Sequence, residues 1–249
     1  MTEPEHRFAQ GRSFGVAADV YERSRPPYPA DAVAWLLPDH ADHVLDLGAG
    51  TGKLTRQLVD GRRRVVAVEP LEQMRETGRA AVPGVEFREG TAEQIPLVDA
   101  SVDVVLVAQA WHWVDPQRAL PEVARVLAPG GRLGLLWNDR DERVDWVREL
   151  GQIMHEGASV IRDGDRPTIG APFGPMQTFT VEWVHRIDPQ TLLDMVTSRS
   201  YFITAPDERK ATTLEAVQDL LETHPALRGR SEIDLPYTTR CFRADLVAG

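Results

Sequence analysis

Apolar residues along the chain fall into short continuous runs that are separated by amphipathic segments. Five runs in the first 140 residues predict buried strands, at 44–47, 65–68, 85–88, 103–108 and 132–137. The segments between them predict helices at 53–60, 71–81 and 116–127. Continuous apolar strands that alternate with helices are typical of a parallel sheet covered on both faces. With right-handed crossovers, this pattern predicts a doubly wound α/β fold.

The last 110 residues follow a different pattern. A helix at 142–156 and a loop rich in Gly and Pro lead to an alternating strand at 178–187, and a last strand covers 233–247. Between them, Asp188-Pro189 and Pro206-Asp207 begin helices that run to about 199 and 222. We expect a mostly parallel, Rossmann-like, seven-stranded sheet with one antiparallel strand. Residues 142–175 and 188–225 are predicted to form a helical cap that faces the substrate.

Charge and cysteine content narrow the class of protein. The 249 residues include 28 Lys and Arg against 38 Asp and Glu, a net charge of −10, which disfavours nucleic acid and anionic membranes as partners. With Cys241 as the only cysteine, neither an intrachain disulfide nor a cysteine-based zinc site can form. The chain shows no signal-peptide core and no apolar run that approaches membrane-spanning length. We therefore expect a cytoplasmic protein.

The sequence Asp46-Leu47-Gly48-Ala49-Gly50-Thr51-Gly52 connects the first predicted strand to a helix. Glycines at alternate positions permit a tight bend that a ligand can approach closely. Glu69 ends the next strand, where an acid can accept hydrogen bonds from both hydroxyls of a ribose. A dinucleotide fingerprint beginning at Gly48 requires a third glycine at 53, where this chain has Lys53. The spacing therefore favours S-adenosylmethionine over nicotinamide or flavin, and an empty tight turn is the structural alternative.

Several segments resemble one enzyme family. Residues 44–55, 66–70, 89–96 and 127–131 fall in the order seen in class I methyltransferases of the type 11 group. Three more segments are similar to a subgroup that includes trans-aconitate-methyltransferase-like proteins: 21–29, 109–113 and 235–240. The resemblance implies S-adenosylmethionine as cofactor and S-adenosylhomocysteine as product. It also implies one domain over 1–249, with an N-terminal lid at 1–30, a cofactor-binding core at 31–140, and cap elements with the last two strands at 141–249.

The resemblance further implies which residues hold the cofactor. In this reading Asp46 orients either the glycine turn or the amino group of the cofactor, Glu69 holds the ribose, and residues 91–93 flank the adenine. Many relatives have an Asp near position 91, where this chain has Thr91, so either Glu93 or a backbone group reads the adenine amine. The implied cofactor residues are Tyr21, Arg25, Asp46, Gly48, Ala49, Gly50, Thr51, Gly52, Glu69, Pro70, Met74, Thr91, Ala92, Glu93, Gln109, Ala110 and Trp111.

Methyl transfer is an in-line displacement, so the protein chiefly aligns the reactants and keeps water out. His112 follows the fourth strand and is the candidate general base, although it can equally be packed between its two tryptophan neighbours. Trp113, Tyr201 and Tyr237 are candidates for lining the acceptor pocket, and core packing is the alternative for each. The remaining histidines lack metal-ligand spacing, so no metal is expected.

The predicted function is transfer of a methyl group to a small-molecule acceptor, with the oxygen of a carboxylate or hydroxyl favoured. The segment after the fourth strand reads Gln109-Ala110-Trp111-His112 rather than an Asn-Pro-Pro-Tyr-type motif, which disfavours protein or RNA as the acceptor. A non-catalytic protein that binds adenosylmethionine is the other alternative, because fold alone does not establish catalysis. We expect a monomer or a homodimer.

Overall fold

The computed structural model describes residues 25–155 and 167–247, apart from the side chains of His155, Ser200 and Tyr201. The strands are β1 (His43–Leu47), β2 (Arg64–Val68), β3 (Glu86–Arg88), β4 (Val102–Ala108), β5 (Leu127–Arg140), β6 (Gln177–Ile187) and β7 (Ile233–Asp245). The α-helices are α1 (Ala30–Leu36), α2 (Lys53–Leu58), α3 (Glu72–Ala81), α4 (Pro116–Val126), α5 (Asp145–His155), α6 (Pro189–Thr197), α7 (Ser200–Ile203) and α8 (Asp207–Thr223). None of these helices combines the length and the apolarity needed to cross a bilayer.

The strands form one sheet in the order β3-β2-β1-β4-β5-β7-β6. The pairs β1–β2, β1–β4, β2–β3 and β4–β5 are parallel. Strand β7 is antiparallel to β5, because Thr239 bonds to Asn138 whereas the later Leu246 bonds to the earlier Gly131. The predicted seven-stranded, mostly parallel sheet with one antiparallel strand is confirmed.

Contacts divide the chain into two compact units. The first, here the sheet unit, consists of residues 27–138, 163–181 and 239–249. Both faces of its central strands are buried: Leu45, Val105 and Leu133 pack in one apolar cluster, and Val44, Val104 and Leu136 pack in another. Burial on both faces explains why these strands appear in the sequence as continuous apolar runs rather than as alternating ones.

The described residues of the second unit, here the helical unit, are 25–26, 139–155 and 182–238. Its core contains residues from α5, α6, α8 and the adjoining strand ends, among them Leu150, Leu192, Met195 and Leu220. Helix α6 begins as predicted, with Pro189 in its first turn and the Asp188 carboxylate accepting from the backbone N–H of Thr191 at 2.8 Å.

Three local features differ from the expectation. Residues 129–131, which lie between the predicted helix at 116–127 and the predicted strand at 132–137, are part of β5, because β4 pairs Val102 with Leu127 and then Val104 with Arg132. This jump is a bulge, and Gly130 adopts a φ of +74° within it. Two elements are not predicted: the short 3-10 helix at Trp111–Trp113, which follows β4, and helix α1.

Candidate functional site

The turn after β1 depends on three glycines with left-handed backbone conformations. The φ angles of Gly48, Gly50 and Gly52 are +73°, +56° and +83°. A Cβ on Gly48 would lie 2.8 Å from the Cβ of Ala110, and one on Gly52 would lie 3.1 Å from the side chains of Val82 and Phe87. At Gly50, by contrast, a Cβ would meet no atom within 4 Å. Packing therefore requires glycine at two positions, whereas Gly50 borders open space.

Glu69 lies directly beside this open position. One of its carboxylate oxygens accepts from the backbone N–H of Gly50 at 2.9 Å, and the other accepts from that of Leu71 at 3.0 Å. The side chain is only 6% exposed, and burial raises the pKa of Glu69. Because each carboxylate oxygen has two lone pairs, both can still accept from a ligand. The arrangement therefore suits a vicinal diol such as that of a ribose.

Asp46 supplies a second buried carboxyl group at the end of β1. One of its oxygens accepts from the hydroxyl of Thr55 at 2.6 Å. The other, Oδ1, is buried and has no hydrogen-bond partner among the described residues. Burial raises the pKa of Asp46 to about 7. A buried polar atom without a partner is rare in native proteins, and this one provides an acceptor for a polar or cationic group.

Residues at the carboxyl end of β4 approach the same turn. Ala110 packs against Gly48, which brings the segment after β4 next to the glycine turn. Gln109, just before it, has a φ of +57°, a conformation that is costly for a residue other than glycine. His112 is half-buried, and its ring lies 4.9 Å from that of Trp113. Trp111 is buried in the core of the sheet unit, and its indole N–H has no partner among the described residues.

Asn138 holds this segment in place and was missed from the sequence. Its carbonyl accepts from the side-chain amide of Gln109 at 3.0 Å, and its own amide donates to the carbonyl of Pro27 at 3.0 Å. Its side-chain oxygen accepts from the hydroxyl of Thr239, which is fully buried. A polar residue directly after the apolar run of the fifth strand was the available signal, because parallel strands present their carboxyl ends to ligand sites.

Residues 91–93, which are predicted to flank the adenine, and the residues just after them are hydrogen-bonded to helix α4 and to Asp115 before it. One carboxylate oxygen of Glu93 accepts from the backbone N–H of Asp115 at 2.9 Å, just before the helix begins. Farther along, Glu122 accepts from the N–H of Ile95, and Arg125 donates to the carbonyl of the same residue. Ala92 is buried, and Thr91 bridges to Gln94. One oxygen of Glu93 is thus already engaged within the protein.

Three other predicted cofactor residues lie in the turn after β1 or in the segment after β2. Met74 is buried in α3, Pro70 is exposed directly after the carboxylate, and Thr51 is buried within the turn. Sequence reasoning missed Arg75, which is 3% exposed and donates to the carbonyl of Glu69 at 2.7 Å. Arg75 also bonds to Glu72, so it fixes the backbone at the end of β2. An arginine on the apolar side of a predicted helix was the signal for it.

The other predicted site residues belong to the helical unit or are not described. Arg25 and Tyr237 fall in the helical unit, where Tyr237 is buried, stacks on Trp183 at 5.3 Å, and directs its hydroxyl to the sulfur of Met195 at 3.4 Å. Tyr21 and the side chain of Tyr201 lie outside the described residues. Within the described ranges, no group of three His, Cys, Asp or Glu side chains could hold a metal ion.

Comparisons with known proteins agree with this geometry. A family model for a methyltransferase domain of the type 11 group matches residues 45–135. An uncharacterized methyltransferase of Mycobacterium tuberculosis is 57% identical over 234 residues, which cover 94% of this chain and 96% of the relative. An uncharacterized methyltransferase-like protein of Schizosaccharomyces pombe is 31% identical over 249 aligned positions, with 94% and 95% covered.

A solved structure shows the same fold. The structure of a candidate type II methyltransferase from Anaeromyxobacter dehalogenans superimposes with a TM-score of 0.67 at 24% identity, and covers 90% of this chain and 99% of its own. The open Gly50 and the unpartnered oxygen of Asp46 both fit an adenosyl ligand with a charged amino-acid end. The chain belongs to the class I methyltransferases of the type 11 family, which are enzymes dependent on S-adenosylmethionine.

Proposed function

We propose that this enzyme transfers a methyl group to an oxygen atom of a small molecule, either a carboxylate or a hydroxyl. The observation that carries the proposal is the position of His112. It follows β4 by four residues and lies two residues after Ala110, which touches the glycine turn at Gly48. A neutral imidazole beside the transferred methyl group can accept the proton that a hydroxyl acceptor must lose.

Three elements of the sheet unit are proposed to hold the cofactor. Gly50 leaves room for it, Glu69 accepts from its ribose hydroxyls, and Asp46 faces its ammonium group. The other proposed cofactor contacts are those predicted from the sequence: Tyr21, Arg25, Gly48, Ala49, Thr51, Gly52, Pro70, Met74, Thr91, Ala92, Glu93, Gln109, Ala110 and Trp111. When bound, S-adenosylmethionine supplies a methyl group already activated by positively charged sulfur.

The proposed methyl transfer requires at most one proton-accepting group from the protein. The acceptor oxygen forms a bond to the methyl carbon, and the carbon–sulfur bond breaks with its electrons moving to sulfur. A carboxylate has no proton to lose, so His112 would then serve only as a contact. A phenol or alcohol gives its proton to His112 Nδ1 or Nε2. Of the residues predicted from the sequence to line the acceptor pocket, we retain Trp113 and Tyr201, since Tyr237 lies in the core of the helical unit with its hydroxyl directed to Met195. We propose an organic acid like those of the trans-aconitate-methyltransferase-like subgroup as one acceptor class.

A labelled-methyl assay over a panel of acceptors tests this proposal. The panel contains aliphatic carboxylic acids, phenols and amines, together with tRNA and a protein fraction as macromolecular arms. We expect label in an acid or a phenol. Label only in tRNA or protein would replace the small-molecule acceptor, and cofactor binding without any transfer would favour a non-catalytic protein.

Variants of His112 then separate the two oxygen classes. If the acceptor is a phenol, His112→Gln should lower kcat by about 10²–10⁴-fold while leaving affinity for S-adenosylhomocysteine unchanged. If the acceptor is a carboxylate, kcat should change by less than about threefold, because no proton is transferred. His43→Gln, an exposed histidine at the amino end of β1, is the matched control and should retain full activity.

A further inference from the structure

Strand β6 forms one edge of the sheet and has the properties of a pairing strand. It is 11 residues long and contains no Pro, Gly or Lys. In the described part of the chain, no strand pairs with its outer side. Long edge strands usually carry such residues, or are covered, because their free N–H and C=O groups otherwise template pairing with another chain. The outer edge of β6 is therefore open to backbone hydrogen bonding with a strand of another chain.

One face of the second half of β6, within the helical unit, is exposed. Glu182, Val184 and Arg186 alternate along this face, and all three are exposed. Val184 is 54% exposed, one of the few large apolar side chains in the described residues that lies open to solvent. The acid and the base each lie two residues from Val184, so a second copy of the strand, running antiparallel, can place its base opposite this acid.

The sequence of this segment is complementary to itself in the antiparallel direction. A two-fold axis through Val184 pairs Val184 with its own copy and places Glu182 opposite Arg186 of the second copy. Moving the axis to Glu182 would instead place two carboxylates opposite each other, and moving it to His185 would place Glu182 opposite Asp188. Like charges directly opposite destabilise a strand pair, whereas opposite charges stabilise it. The register centred on Val184 is therefore the favoured one.

Neighbouring ion pairs extend this complementarity. Arg143 donates to Glu182 at 2.6 Å, and Arg186 donates to Asp234 at 3.1 Å. Across the two-fold axis, the order of charges would be Arg143, Glu182, then Arg186 and Asp234 of the second copy. Signs alternate along the whole row, so the pairing brings no like charges together. Exposed ion pairs contribute little free energy, so they set the register while backbone hydrogen bonds and Val184 burial hold the strands.

We propose that the enzyme forms a homodimer in which the β6 strands of two copies pair antiparallel about Val184, which joins their sheets. The pairing is isologous, so each copy contributes the same surface and the assembly closes at two chains. This assembly is independent of the methyl acceptor. The interface uses the outer edge of β6 and none of the residues proposed to hold the cofactor.

A cysteine placed at the axis gives the most direct test. Cys241, the only cysteine of the sequence, is fully buried, so it does not compete in mild oxidation. Directly opposed residues of antiparallel strands have Cα atoms about 4.5–5.5 Å apart, within the range that a disulfide bridges. We therefore expect Val184→Cys to form a covalent dimer. Glu182→Cys is the register control, because its two copies would lie about 13 Å apart along the strands.

Solution measurements complete the test. Light scattering after size exclusion should give twice the mass of one chain for the native enzyme, and Val184→Glu should give one chain with its thermal unfolding temperature retained. Val98→Glu, at a valine outside β6 that is more exposed than Val184, should remain dimeric. A native enzyme that is monomeric at high micromolar concentration would overturn the proposal. So would Val184→Cys that cross-links no faster than Glu182→Cys or Val98→Cys.

Discussion

At the scale of single residues, Gly50 differs from the glycines on either side of it. Gly48 and Gly52 are required by close packing against Ala110 and against Val82 and Phe87. Gly50 has the same left-handed backbone but no neighbour where its Cβ would be. Its N–H is held by Glu69, so the peptide is fixed while its outer side remains free. This combination is what a backbone needs in order to approach a ligand closely.

Gly50→Ala should therefore lower the affinity for the cofactor more than it lowers the stability of the fold. We expect at least about a tenfold loss of affinity for S-adenosylhomocysteine, and a cost to folding of about 1–2 kcal/mol from the left-handed conformation. Calorimetric titration and urea unfolding measure the two effects. Gly130→Ala is the matched control, since Gly130 has a φ of +74° and also has open space at its Cβ. It should show the folding cost alone, and equal losses of affinity in both variants would refute this role of Gly50.

The buried carboxyl of Asp46 links folding to pH. Burial raises its pKa from 3.8 to about 7, so the folded chain favours the protonated form. The corresponding stability is fully present below pH 3.8 and is lost as the pH rises through 7. Asp46→Asn keeps a neutral group of the same shape. We expect its stability relative to the native chain to increase by roughly 2–4 kcal/mol between pH 4 and pH 8, as measured by urea unfolding.

Asp31→Asn, at an exposed position of α1, is the control and should show no such trend. A relative stability of Asp46→Asn that stays constant over this pH range would show that the carboxyl is not neutral in the folded chain. The same linkage predicts how the cofactor binds. A cationic ligand favours the ionised carboxyl, so affinity in the native chain should increase several-fold from pH 6 to pH 7.5.

At the scale of elements, the sequence predicted those features that depend on burial and short-range turns. The apolar runs of β1, β2 and β4 and the Asp188 cap of α6 were predicted from the sequence because each is determined within a few residues. The bulge in β5 was not, since it exists only in the pairing of Val102 and Val104 with that strand. The role of Asn138 depends on three partners far apart in sequence, at 27, 109 and 239, which no local pattern contains.

Asn138 supplies a test at this scale because it links the segment after β4 and the middle of β7 to β5. Asn138→Ala removes the bonds to Thr239 and Pro27, so we expect a loss of about 1–3 kcal/mol in the free energy of unfolding. Asn138→Asp keeps the oxygen that accepts from Thr239 but loses the donor to Pro27. Its free energy of unfolding should therefore lie between those of the native chain and Asn138→Ala. Urea unfolding orders the three proteins. An alanine variant as stable as the native chain would contradict this account.

At the scale of the whole molecule, the chain forms two compact units. The sheet unit contains the glycine turn, Asp46, Glu69 and His112, whereas Tyr237 and the exposed stretch of β6 belong to the helical unit. The first unit is the part that sequence patterns describe well, because the matched domain falls on residues 45–135 and most of the resembling segments lie in or next to that range. The acceptor depends on residues that no short motif specifies, so it must be found by assay.

The proposed cofactor site requires the enzyme to bind an adenosyl ligand at Gly50 and Glu69. Calorimetric titration of the native enzyme with S-adenosylmethionine tests it, beside Glu69→Gln and the exposed control Glu76→Gln. We predict one site per chain, an affinity reduced by about 10–100-fold in Glu69→Gln because charge-assisted hydrogen bonds are lost, and no change in Glu76→Gln. Absence of binding by the native enzyme, or equal affinity in Glu69→Gln, would contradict the account.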